Sequence, residues 1–375
     1  MNPSPPNSSK GLATLLVAGA TPEHPRQSEA AILELRDGSL RIAWVEFLAG
    51  ERGGEDDGLN RTATMVSRDR GFSWGDRQVL VETNPGDVNV FSPSFVRLPS
   101  GEILFLFLRW QRFDKDKPAS YSAFVRRSRD EGRTFSAETP IFRNQPWAFA
   151  NSTAKRLRSG RILQPLDAQT GALWTNADHG VTGATFSDDD GQTWQVCENW
   201  CDLPLRGAME AHVEELKDGR LLMVIRNQLG AVFQSHSADS GRTWSKPQTT
   251  GLRAPESCPD LVRVPQTGDL MLVWNNSEYD PKFRSHYGRR SPLSIALSKD
   301  EGATWRHVRD IETDPRAAFS NPGCTFTSWG TVLLNYWTCP YHSDDAMNTH
   351  KIDLKLAIFP VEWLYEGAPV QSQSS

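Results

Sequence analysis

SRDRGFSW (67–74), SRDEGRTF (128–135), SDDDGQTW (187–194), SADSGRTW (237–244) and SKDEGATW (298–305) share one pattern: Ser, any residue, Asp, any residue, Gly, any residue, Ser or Thr, aromatic. One such octapeptide says little. Five of them, 61, 59, 50 and 61 residues apart, define a repeat. Each reads as a hairpin tip. The Asp carboxylate accepts from turn N–H groups, the Gly supplies a left-handed backbone, and the aromatic ring packs down to fix the tip. These residues are expected to be scaffold and not catalytic groups.

A second series alternates with the first. Turn glycines separate two apolar runs in ILELRDGSLRIAW (Gly38), FVRLPSGEILFLF (Gly101), AKRLRSGRILQPL (Gly160), VEELKDGRLLMVI (Gly219), LVRVPQTGDLMLVW (Gly268) and CTFTSWGTVLLNYW (Gly330). Six hairpins, five of them followed by a box, give about four strands per unit, the content of a propeller blade. The fold class predicted is all-β: a six-bladed β-propeller of four-stranded antiparallel blades. The sixth unit lacks a box, so a terminal segment is expected to supply its outer strand. The boundaries read as an N-terminal tail over 1–20, the propeller over 21–368 and a C-terminal tail over 369–375.

Composition agrees. Of 375 residues, 24 are Pro, 28 Gly and 13 Trp, which suits many short strands joined by turns. A net charge of −5 argues against a nucleic-acid partner, which needs a basic face. No apolar run is long enough for a membrane span. Five cysteines, Cys197, Cys201, Cys258, Cys324 and Cys339, form no metal-ligand pattern and read as free thiols of a reducing, cytoplasmic compartment.

Side chains alternate along a strand, so the turn glycines give a register. Nine residues before each lie Glu29, Ser92, Asn151, Glu210, Pro259 and Asn321, expected to form a ring at one end of the channel. Seven or eight residues after the turn lie Glu46, Arg109, Arg226 and Asn275, expected to surround that ring. Arg109 interrupts the apolar run LFLFLRW and so needs a partner or a pocket. His212 shares the face of Glu210 and reads mainly as a buried, satisfied histidine.

MEAHVEELKDGRLLMVIRN (209–227) and RSPLSIALSKDEGATW (290–305), with the boxes, resemble the sialidase (neuraminidase) superfamily over nearly the whole chain. The resemblance implies a glycoside hydrolase that removes a terminal, acidic sugar from a glycan, without a cofactor. In such enzymes a Tyr, activated by a Glu, replaces the usual carboxylate nucleophile, and three arginines hold the substrate carboxylate. Carried over, Glu210 is the Glu, and Arg226 and Arg290 are two of the arginines. Asp56, with Asp57 beside it, is the candidate acid; its Gly-rich acidic loop reads equally as a surface turn. Two departures stand out. The first arginine position falls near Ser28, with Arg26 two residues earlier, and Arg109 is an alternative third cation. Phe319 occupies the Tyr position, and Tyr287, Tyr336 and Tyr341 match no motif. The residues therefore leave three readings open: hydrolysis by Glu210 and an Asp as a carboxylate pair, carbohydrate binding without cleavage, or, less well supported, a protein-interaction propeller.

Overall fold

The computed structural model describes residues 11–112, 114, 116–283, 287–343 and 346–366; the side chains of Arg112 and His342 are outside that set. The proposed tail over 369–375 lies outside the described residues. Six antiparallel sheets follow one another along the chain. The first blade is Gln27–Glu34, Leu40–Phe47, Asn60–Ser67 and Gly75–Glu82, running from the inside outward. The second, Asn89–Arg97 to Thr139–Gln145, the fourth, Met209–Glu215 to Gln248–Arg253, and the fifth, Asp260–Arg263 to Arg306–Glu312, repeat it. The inner edge of the third blade is split into Trp147–Ala148 and Lys155–Arg156.

The sixth blade closes the ring. Its strands Ala317–Phe326, Thr331–Ser343 and Asp353–Pro360 are completed by Ala13–Ala18, which pairs antiparallel with the last of them. A terminal segment thus supplies the outer strand. The tail boundary at residue 20 is corrected accordingly, because Ala13–Ala18 covers an otherwise open sheet edge. Among the described residues no helix is long and apolar enough to cross a membrane.

The five boxes hold their tips alike. Asp69, Asp130, Asp189, Asp239 and Asp300 each accept the N–H and the hydroxyl of the Ser or Thr four residues on, the hydroxyl at 2.6 Å. The box glycine, at φ between 78° and 95°, lies over the preceding blade. Gly191 sits on Leu104, Gly241 on Leu163 and Gly302 on Leu222, all three leucines fully buried. Four of the five box glycines thus rest on apolar side chains of the preceding blade, Gly71 on Ile358, Leu356 and Leu333; under Gly132 lies Arg41.

The opposite end is built differently. The inner strand slips register at Ser28/Ala31, Phe91/Ser94, Met209/His212 and Ser320/Gly323. In each bulge stands a residue with left-handed backbone: Glu29 (φ 53°), Ser92 (62°), Glu210 (44°) and Asn321 (49°). Left-handed non-glycine residues are strained, and such strain gathers where a side chain must be aimed. Four blades aim theirs at one end of the channel.

Candidate functional site

A cavity of about 210 Å³ opens there, lined among others by Glu29, Ser92, Asn151, Glu210 and Asn321. These bulge and channel residues are five of the six ring positions. The rest of the wall combines carboxyls, Asp56, Asp167 and Asp178, with an aromatic side of Phe91, Trp110, Tyr121, Phe149 and Trp174. Aromatic faces with a few convergent polar groups are what sugar-sized ligands meet in pockets.

Glu210 is tightly held. Its carboxylate accepts from Arg226 Nη1 at 2.5 Å and from the buried Cys258 thiol. Burial works to raise its pKa, but Arg226 and the Cys258 hydrogen bond hold it below the usual carboxylate range. Its strained backbone is tied by its N–H, which donates to Asp167 Oδ2 at 2.7 Å. Arg226 Nη2 also donates to buried Glu256 at 2.7 Å. Arg290 Nη2 reaches the main-chain carbonyl of the same residue at 3.1 Å. Glu210 and Arg226, from adjacent strands of the fourth blade, therefore converge with Arg290, from the loop between the second and third strands of the fifth.

Arg26 comes to the same place from outside strict register. Its Nη1 donates to Asp56 at 2.6 Å and its Nη2 to Glu29 at 3.0 Å, while its guanidinium lies 4.4 Å from the centre of the Phe47 ring. Burial opposes ionisation of Asp56, yet Arg26, with Arg290 and Arg226 further off, keeps its carboxyl low. Two other carboxyls go the opposite way. Burial pushes Glu29 up to about 7 against the pull of Arg26, with Asp56 and Glu210 adding repulsion. Burial likewise pushes Asp167 up to about 7, outweighing the Glu210 N–H. One of its oxygens, Oδ1, is buried without a hydrogen-bond partner.

Arg26 and Arg226 are covered by carboxylates, and the guanidinium at the cavity wall is Arg206, bound to Asp178 at 2.9 Å and Glu256 at 2.5 Å. Arg290 is 3% exposed and has no carboxylate within ion-pair distance among the described residues.

Several expected site residues lie elsewhere. Asp57 pairs with Arg52 at 2.6 Å on its own loop. Arg109 is bound to Glu138 at 2.5 Å and Asp87 at 3.2 Å, and Glu46 to Arg61 at 2.8 Å and to Arg77. The cause is parity. Arg226 pairs across the sheet with Met209 just before the bulge; the equivalent pairs are Leu108 with Phe91 and Val45 with Ser28. Arg109 and Glu46 are one residue further and face away. Asn151 donates to the Ala30 carbonyl at 2.9 Å, and Asn321 accepts from Trp337 at 2.9 Å. His212 is buried against Asp260 at 2.7 Å.

Phe319 is packed in the apolar core of the fifth and sixth blades. Tyr336 lies in that core and donates to Glu312 at 2.6 Å; the Tyr341 hydroxyl accepts the Arg290 N–H at 2.9 Å, and Tyr287 stacks on Tyr279. None of the three lines the cavity; Tyr121 does. Sequence reasoning missed Tyr121, Asp167, Asp178, Arg206 and Glu256. Asp167 had a signal: it follows Gly160 by seven residues, as Arg226 follows Gly219. The others sit on a middle strand or on loops outside the repeat.

A six-bladed ring of Asp-box hairpins, with arginines and carboxyls gathered at the far end of its channel, is a sialidase-like propeller. The chain belongs to the BNR repeat-like domain family, which it matches over residues 38–334. No curated protein matches it. A protein of unknown function from Dyadobacter fermentans is similar over 93% of this chain and 100% of its own, with 16% identity and a TM-score of 0.71. The NanB sialidase of Streptococcus pneumoniae is similar over 93% of this chain and 71% of its own (14% identity, TM-score 0.70). The leech intramolecular trans-sialidase, complexed with 2,7-anhydro-Neu5Ac, is similar over 96% and 72% (14% identity, TM-score 0.69).

Proposed function

We propose that the protein is a glycoside hydrolase that removes a terminal sugar with two carboxyls in place of a tyrosine nucleophile. The observation that carries this reading is the division of the carboxyls around one cavity. Asp167 and Glu29 are raised to about 7, whereas Glu210 and Asp56 are held low. Groups driven apart in this way serve as acid and anion at neutral pH. Asp167, protonated and facing the cavity, gives its proton to the glycosidic oxygen as the bond to the anomeric carbon breaks. Glu210, fixed by Arg226 and Cys258, meets the positive charge developing on that carbon, and a water molecule then adds there, its proton returning to Asp167. Trp174 and Phe91, the aromatic lining residues that are not buried, offer faces for the sugar ring. An acidic group on the sugar is met by Arg206 at the wall and by Arg290, which has no anionic side-chain partner among the described residues.

A panel of aryl sialosides, uronides and neutral glycosides tests the proposal. Turnover of at least one is expected, with Glu210→Gln and Asp167→Asn each slowing it by 100-fold or more. Turnover unaffected by either change overturns the assignment. The second reading, binding without cleavage, is favoured by Phe319, which has no hydroxyl to attack with. Saturable binding of an intact sugar with no product after prolonged incubation selects it.

A further inference from the structure

The box end of the molecule, opposite the cavity just described, carries one buried charge that the fold does not need. The residue beneath the next blade's box glycine is Leu104, Leu163 or Leu222, and at the ring closure Leu333 with Leu356 and Ile358. Between the first and second blades it is Arg41, whose Nε and Cδ take that place under Gly132. Arg41 is 6% exposed. Its single hydrogen bond is from Nη1 to the Thr64 hydroxyl at 3.3 Å, its Nε has no partner, and it forms no ion pair among the described residues. Burying an unpaired guanidinium is costly, and four equivalent positions show that an aliphatic side chain satisfies the packing.

Arg41 does not stand alone. It lines a cleft of about 500 Å³ between the two blades, together with Arg36, Arg68, Arg77 and Arg133. The acidic groups of the cleft are largely engaged. Asp76 binds Arg68 at 2.7 Å, Glu131 binds Arg97 at 2.8 Å, and Asp37 accepts from Ser39. Arg77 turns its guanidinium to Glu46, and Arg36 shares Glu131 with Arg97. That leaves Arg41, the most buried of the five, and Arg133 with no carboxylate in ion-pair distance among the described residues.

We propose that this cleft binds a tetrahedral oxyanion, a sulfate or phosphate group either free or carried on a sugar, with Arg41 at its base. Guanidinium groups reaching one cleft from several strands and turns suit an anion with three outward oxygens better than a flat carboxylate, which one fork can hold. The site is independent of the hydrolase proposal, since the two lie at opposite ends of the strands.

The experiment is calorimetric titration of the full chain with sodium sulfate and sodium phosphate, against sodium chloride at matched ionic strength. A parallel titration compares galactose 6-sulfate with galactose. Saturable binding of the oxyanions is expected, unchanged in Arg290→Gln, which alters only the arginines of the sugar cavity. Arg41→Leu, the residue of the sister units, is expected to keep the fold and melt no lower than the parent without anion, while binding at least tenfold more weakly. Arg133→Ala, on the exposed rim, is expected to weaken binding by a smaller factor and reads the same cleft should Leu at 41 disturb folding. Tighter binding of the sulfated sugar than of free sulfate identifies a sugar-borne group, and equal binding a free anion. Absence of saturable binding, binding lost in Arg290→Gln, or binding untouched by both cleft variants overturns the proposal.

Discussion

Asp167 shows how one residue's surroundings set its chemistry. It occupies in the third blade the place that Arg226 occupies in the fourth, seven residues past the turn. An arginine there is offset by Glu210 and Glu256; an aspartate beside Glu210 is not, and so keeps its proton. This has a consequence for stability. Raised to about 7 in the folded protein from the model-peptide value of 3.8, the carboxyl contributes stability that is complete below about pH 4 and is lost as pH rises through 7. Asp167→Asn, which can still accept the Glu210 N–H, removes that loss. The variant is therefore expected to be more stable than the parent at pH 8, on the order of 2 kcal/mol. The difference should close by pH 4. Urea midpoints at the two pH values check it, and a gap independent of pH contradicts it.

Among elements, the Asp box and the bulged inner strand divide the labour, one holding the blades and the other aiming side chains. Asp130 accepts from Ser128, the Thr134 N–H and the Thr134 hydroxyl, and sits low, at about 2, because those donors favour its anion, Thr134 foremost. Asp130→Ala is expected to destabilise the protein by about 1 kcal/mol, read from its denaturation midpoint. Sugar binding should be unaffected, because the box lies at the other end of the strands; a change in sugar affinity without loss of stability contradicts the division. The box was legible in the sequence because its hydrogen bonds join residues four apart. The bulge was not, because it is a property of pairing. Counting from Gly219 placed Glu210 and Arg226 together, but the allowance of seven or eight residues admitted Arg109 and Glu46, one step past Leu108, which lines the cavity, and Val45, its equivalent in the first blade. Arg26 arrives by a different path, beside the bulge and not in it.

For the whole molecule, ring closure turns segments hundreds of residues apart into one mouth. Glu29 and Asn321 stand beside Glu210 only because Ala13–Ala18 joins the first blade to the last. The blade count and the four-stranded antiparallel blades were legible from two interleaved series of glycines and boxes; the position of the terminal strand, inside the stretch read as a tail, was not. The mouth was legible in part: its ring residues follow the repeat, whereas Arg206, Asp178 and Glu256 come from loops that no repeat constrains. The class of fold leaves the activity open, because folds host many chemistries and the site decides. The most direct test is a crystal structure of the Glu210→Gln variant soaked with the best-bound glycoside of the panel. The expected result is an intact sugar against Trp174, its glycosidic oxygen within hydrogen-bond distance of Asp167 and its anomeric carbon beside residue 210. A sugar bound away from both side chains, or one whose glycosidic oxygen meets neither Asp167 nor Glu29, contradicts the two-carboxyl site.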